Sequence, residues 1–259
     1  MHLLDWVVIA GYFVVMVVIG VWAHRQVAGA ADYFTAGGKM PWWLAGVSHH
    51  MSGYSAVVFV AYAGVAYDQG IVSYVGFMFP LAVATGIGAF LFAPKWNRLR
   101  ARYHIASPLE YLAARFNVPT QQVLAWSGSL LKIFDVAAKW SAVALLLDEF
   151  VGIPMVWGVI ITAGVTLLYC TAGGLWADAL TELGQFVIQG LAAIAMLVAV
   201  GAALSAQGLD YATFWGALPA GHTDPTTSDY PAYFVLVYIV VKTFEYNGGM
   251  WNLAQRYMA

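Results

Sequence analysis

Seven stretches of this 259-residue chain are apolar over the length that a bilayer demands, and this constrains the fold more than any motif. A hydrocarbon core about 30 Å thick needs about 20 consecutive apolar residues in a helix. The runs lie at approximately 6–23, 42–67, 71–93, 121–147, 153–172, 183–205 and 231–254. Lipid cannot satisfy backbone N–H and C=O groups, so a spanning segment of this length must satisfy its own, as a helix. Hydrophobic residues make up 62% of the chain and charged ones 9%, against about 45–50% and about 25% in soluble domains. An all-α integral membrane protein with seven transmembrane helices is expected. Asp5 precedes the first run where a signal peptide would carry basic residues, so that run is expected to be retained.

The net charge of −2 offers no basic stripe for nucleic acid, and the position of each charge matters more than the sum. Arg25 and Lys39 fall between the first two runs, Lys95, Arg98, Arg100, Arg102 and Arg115 in the segment 94–120, and Arg256 after the last run. The opposite loops contain Asp68, Asp148, Glu149, Asp210, Asp224 and Asp229 with no Lys or Arg. Basic residues mark cytoplasmic loops, which places the N-terminus outside. In the long basic loop "SPLEYLAARFN" reads as a short surface helix, with Ser107 as N-cap, Pro108 at the first helical position and Glu110 completing a capping box. The lone Cys170 sits in an apolar run and is expected to be a small buried residue.

Ionisable groups at bilayer depth are costly, so each one inside a run is a functional candidate. In the fourth run Lys132, Asp135 and Lys139 share one helical face, as a self-neutralising ion network or as a contact to a polar or anionic solute. In the seventh, Lys242 and Glu245 precede "YNGGMWN", whose two glycines loosen a helix or let a neighbour pack closely. At the start of the sixth, Asp178, Thr181, Glu182 and Gln185 lie along one flank, where a carboxylate and a hydroxyl would suit a small cation. The second run holds "GVSHHMSGYSA". A helix broken near Gly53 and Tyr54 would release carbonyls as discontinuous transporter helices do; a continuous helix would turn its serines back on their own carbonyls. Adjacent His49 and His50 point about 100° apart and are poorly placed to share a metal ion.

Taken together, "DYFTAGGKMPWWLAGVS", "MSGYSA", "SPLEYLAARF", "GIP", "GGLWADALTELGQ" and "AQR" resemble successive landmarks of the sodium:solute symporters, the family of bacterial sodium/galactose and sodium/proline transporters. The resemblance runs over almost the whole chain and corresponds to about the first half of a family member. It implies a leucine-transporter-like inverted-repeat fold: an extra N-terminal helix at 1–24, a first five-helix repeat at 40–209 and the first helix of the second repeat at 231–259, the chain being cut short and its partner being the missing C-terminal half. It further implies sodium bound in part by the backbone carbonyls of Met51 and Tyr54, with Thr181 and Glu182 on the sodium exit path, where the family has a Thr-Asp pair. Tyr246 matches an inner-gate tyrosine. The positions matching sugar contacts are Gly53, Val58, Val75, Met78 and Thr243, with Asp135 added as a substrate candidate; Val75 and Met78 cannot hydrogen-bond a sugar through their side chains.

The expected function is sodium-coupled import of a small polar solute (sugar, amino acid or organic acid) across the bacterial inner membrane. Sodium is the coupling ion, lipid the surroundings, and no other cofactor or enzymatic activity is implied. Proton coupling through Glu182 or Asp135, a non-transporting sensor on the same scaffold, and a membrane enzyme using His49 and His50 are the alternatives.

Overall fold

The computed structural model describes residues 3–25 and 27–259. The side chains of Leu4, Asp5, Phe59 and Tyr169 are outside that description, among them the Asp5 carboxylate behind the retained-helix expectation. Regular structure among the described residues is helical throughout. Helix α1 (Leu3–His24) covers the first apolar run, and the short α2 (Ala30–Thr35) leads through a tight turn at Ala36–Gly38 into α3 (Trp42–Gly53). After a break, a wide π-helical turn at Val58–Tyr62 continues into α4 (Ala63–Gln69). A second wide turn at Tyr74–Met78 opens α5 (Phe79–Tyr103), followed by α6 (Pro108–Arg115) and α7 (Val118–Val151). Helix α8 (Met155–Ala206) is two helices joined by a kink, and α9 (Ala232–Phe244) passes through a third wide turn at Glu245–Gly249 into α10 (Trp251–Ala254).

Three described helices are long and apolar enough to cross a membrane unaided: Trp6–His24, Tyr74–Tyr103 and Cys170–Ala206. The chain is therefore an integral membrane protein. Of the other expected spans, 42–67 is interrupted at Tyr54, 121–147 carries Lys132, Asp135 and Lys139, 153–172 is the part of α8 before the kink at Gly174, and 231–254 is interrupted at Met250. These interruptions lie where the charged and glycine-rich segments stand.

Apolar burial drives helix association weakly in lipid, so close approach depends on small residues. Helix α1 meets α8 in this way: a Cβ built on Gly173 would lie 2.9 Å from the Gly20 carbonyl oxygen and 3.1 Å from the Ala23 Cβ. Gly158 likewise sits so close to Ala144 of α7 that a Cβ there would be 3.0 Å from its Cα. The outward faces remain apolar, with Val187, Leu191, Ile194 and Val198 of α8 all exposed, as a lipid-facing surface requires. A small core of Ala36, Met40, Leu44, Leu175 and Ala179 fixes the α2–α3 link against α8.

Two boundaries differ from the sequence expectation. The loop expected between 172 and 183 shrinks to Gly174, whose φ of 56° and ψ of −147° turn the chain within one residue. A left-handed φ of this kind falls to glycine because any Cβ would clash, here also with the Tyr33 carbonyl oxygen at 2.6 Å. Helix α5 runs on to Tyr103 instead of ending at 93, because losing apolarity does not end a helix; Lys95 lies over the Phe92 ring at 5.8 Å. The surface helix α6 forms as expected, Ser107 Oγ accepting from the Leu109 amide at 3.2 Å. The return bond of Glu110 goes to the Ala106 amide, one residue before the cap, at 2.8 Å. Cys170, expected to be buried, is half-buried.

Candidate functional site

The break in the second apolar run falls at Tyr54, which leaves α3 with φ −87° and ψ 146°, values of extended chain. Its amide donates to both the His50 and Met51 carbonyl oxygens at 3.1 Å, closing the last turn of α3. Unwinding was expected across 51–54; it begins instead at the last of these residues, so Met51 remains helical. A carbonyl oxygen has two lone pairs, so Met51 O retains capacity for a second partner. Helical bonding resumes with the Val58 amide donating to the Ser55 carbonyl at 3.0 Å.

Beside this break lies a cavity of about 250 Å³ that gathers Gly53, Val58, Asp135 and Tyr246, four of the expected substrate positions. Val75, Met78 and Thr243 do not line it. Val75 and Met78 sit in the wide turn before α5, and Thr243 is buried with its hydroxyl donated to the Ile239 carbonyl at 2.7 Å. Tyr246 closes over Gly53 so tightly that a Cβ at 53 would lie 1.7 Å from the phenolic oxygen. On the facing wall one oxygen of Asp135 receives both Lys132 Nζ at 2.6 Å and Lys139 Nζ at 3.2 Å. Lys139 also donates to the Ser52 carbonyl at 3.5 Å. The ion network expected of the fourth run therefore also forms one wall of the cavity. A second, more apolar cavity of about 540 Å³ lies across Lys132, Asp135, Met250 and Asn252, between α6, α7 and the glycine pair.

Behind Ser52 is a buried ionic cluster. Glu182 accepts hydrogen bonds from the Ser48 hydroxyl and, at 2.6 Å, from the Ser52 hydroxyl. Arg256 pairs closely with Asp178, approaches Glu182 at 3.8 Å, and donates to Ser48 Oγ at 3.3 Å and to the Asn252 carbonyl at 3.0 Å. The side chains of Arg256 and Glu182 are each only 8% exposed. Arg256 is therefore not the loop charge used to orient the chain. Thr181 is buried beside the cluster but donates to the Asp178 carbonyl at 2.9 Å, and Gln185 turns to Tyr12 of α1 at 3.0 Å.

Several residues that position the site carried no charge or motif to reveal them. Asn247 is fully buried; its amide donates to the Ala84 and Thr243 carbonyls, its side-chain oxygen accepts from Tyr257 at 2.5 Å, and its carbonyl accepts from Trp96 at 3.1 Å. Gly88 makes room for it, since a Cβ there would meet its nitrogen at 1.9 Å. The histidines diverge as expected: His49 stacks on Tyr257 with centroids 4.9 Å apart, while His50 faces Tyr54 and Phe186. Among the described residues no group of three His, Cys, Asp or Glu could hold a metal ion.

The profile of the sodium:solute symporter family matches residues 33–242. A sodium/sialic acid symporter, SiaT of Proteus mirabilis (strain HI4320), is 30% identical over 192 residues, covering 73% of this chain and 36% of that protein. A sodium/glucose cotransporter of Vibrio parahaemolyticus is 28% identical over 187 residues, covering 70% of this chain and 34% of its own. A solved structure of a Na+-coupled sialic acid symporter, in a substrate-bound outward-open state, superposes with a TM-score of 0.83 at 22% identity, over 99% of this chain and 53% of that one. The chain thus spans about a third of the length of these curated relatives and about half of the solved structure. The relatives are named as symporters and cotransporters, not enzymes, in agreement with the sequence reading.

Proposed function

Because the chain belongs to the sodium:solute symporter family, we propose that it forms part of a sodium-coupled symporter that imports a small polar solute by alternating access across a bacterial inner membrane, N-terminus outside. The observation that supports this is the broken helix at Tyr54, which sets irregular backbone inside an apolar run and beside a polar-walled cavity. Irregular backbone in a bilayer is tolerated where it lines a cavity or is buried in protein, and carbonyls at such breaks bind coupling ions. Sodium would be held in part by the Met51 and Tyr54 carbonyls, with Glu182 and its neighbour Thr181 on the path by which it leaves. The solute would occupy the space between Gly53, Val58, Asp135 and Tyr246. The leucine-transporter-like arrangement, with an extra helix at 1–24, a repeat at 40–209 and the start of a second at 231–259, belongs to this same proposal.

Sodium would stabilise the solute-binding conformer, making coupling a shift of population between two states. The test is solute uptake by the full-length protein in proteoliposomes, with external sodium replaced by choline or lithium at fixed pH. Uptake that needs sodium supports the proposal, and uptake independent of it overturns it. The burial of Glu182 favours one second reading, coupling to protons, which predicts uptake driven by a pH gradient in choline.

A further inference from the structure

The charges that face the Tyr54 break fall into two compartments of opposite excess, and one residue joins them. Toward the 250 Å³ cavity stand Lys132, Asp135 and Lys139, two ammonium groups against one carboxylate, leaving a positive charge in excess. Behind the break stand Arg256, Asp178 and Glu182, one guanidinium against two carboxyl groups, so that with Glu182 ionised a negative charge is in excess. Lys242 and Glu245 neutralise each other at 2.7 Å and neither lines this cavity. Ser52 touches both compartments: its hydroxyl donates to Glu182 at 2.6 Å, while its carbonyl accepts from Lys139 at 3.5 Å.

We infer that the solute is an organic monoanion whose carboxylate binds Lys139 and Lys132 in this cavity, and that Ser52 links its binding to the cation compartment at Glu182. This rests on the solute-pocket reading above and names its substrate class. Lys139 is the better placed of the two lysines. An ammonium has three donors, and its two partners lie at the long distances of 3.2 and 3.5 Å, whereas Lys132 is committed to Asp135 at 2.6 Å. The Lys139 side chain keeps 27% of its surface exposed, so an incoming carboxylate can reach it. Val57, Val58, Ala138 and Leu253 give the wall apolar surface for a carbon skeleton, which a hydrated inorganic anion would not use, beside the polar Ser55, Tyr62 and Asn252. A sodium ion behind Ser52 and a carboxylate in front would each cancel the local excess, so either one favours the other.

The test uses full-length protein in detergent and reads thermal stabilisation by a panel of monocarboxylates from pyruvate to sialic acid. Each acid is paired with its own methyl ester, with glucose and potassium chloride as further probes. At least one acid is expected to bind in sodium, its ester at least tenfold more weakly, and glucose and chloride not at all. Lys139→Gln is expected to weaken the acid tenfold or more and Lys139→Arg to restore most of it; the comparison of acid with ester needs no variant to fold. An ester binding as tightly as its acid, a panel with no binding acid, or binding by glucose or chloride overturns the inference. Acid binding that is the same in choline leaves the anion site standing and removes sodium coupling. Glucose binding that requires sodium does the reverse.

Discussion

The phenolic oxygen of Tyr246 occupies the space a side chain at Gly53 would fill, so the seam between the first broken helix and the seventh apolar run closes at one residue. A glycine there is needed for room, since its backbone is still helical. Gly53→Ala is expected to push the Tyr246 ring out of the cavity wall and weaken solute binding by about tenfold or more, equivalent to about 1.4 kcal/mol. Thermal stability should change little, because the displaced atoms are the far end of a side chain. Solute titration of the purified variant checks this, and unchanged affinity would show that the seam does not shape the site.

Arg256 makes a sharper stability prediction. Removing one partner of a buried ion pair leaves uncompensated charge and costs about 3–5 kcal/mol, whereas an exposed loop charge is worth less than about 0.5 kcal/mol. Arg256→Met should therefore lower the apparent unfolding midpoint substantially, and adding Glu182→Leu to it should recover part of the loss. A midpoint unchanged in Arg256→Met would return the residue to the loop position that its place in the sequence suggested.

That misplacement shows how far the sequence was legible. Long apolar runs announce helices because lipid leaves the backbone no alternative, and α1 follows its run closely. The break at Tyr54 was legible from a glycine among serines, to within the last residue of the expected segment. What could not be read were pairings across distant segments. Nothing local to "AQR" says that its arginine folds back onto Asp178, seventy-eight positions earlier in the chain. The role of Asn247 likewise depends on Gly88 and Ala84 of another helix. The start of α8's second half moved for the same reason: Asp178 and Glu182 look like loop residues until the partner that neutralises them is known.

Outside the membrane-spanning segments, Asp210 caps the turn that follows α8. The Thr213 amide and hydroxyl and the Ala212 amide all donate to its carboxylate, and these bonds, the Thr213 amide foremost, hold its pKa below the ordinary value of 3.8. A depressed carboxylate pKa stabilises the folded turn fully above the ordinary value and loses that contribution as pH falls through the folded one. Hydrogen exchange at the Ala212 and Thr213 amides, corrected for intrinsic rates, should show protection lost on acidification below about pH 4. Asp210→Ala should remove both the protection and its pH dependence; protection unaffected by the substitution would contradict the assignment.

The most direct measurement is whether sodium acts at the break itself. Hydrogen exchange of the full-length protein at fixed pH, read over the peptide containing residues 48–58, compares sodium with choline in the absence of solute. Sodium coupling through the Met51 and Tyr54 carbonyls predicts slower exchange in sodium, concentrated in this peptide and diminished by Glu182→Gln. Identical exchange in sodium and choline would contradict the account.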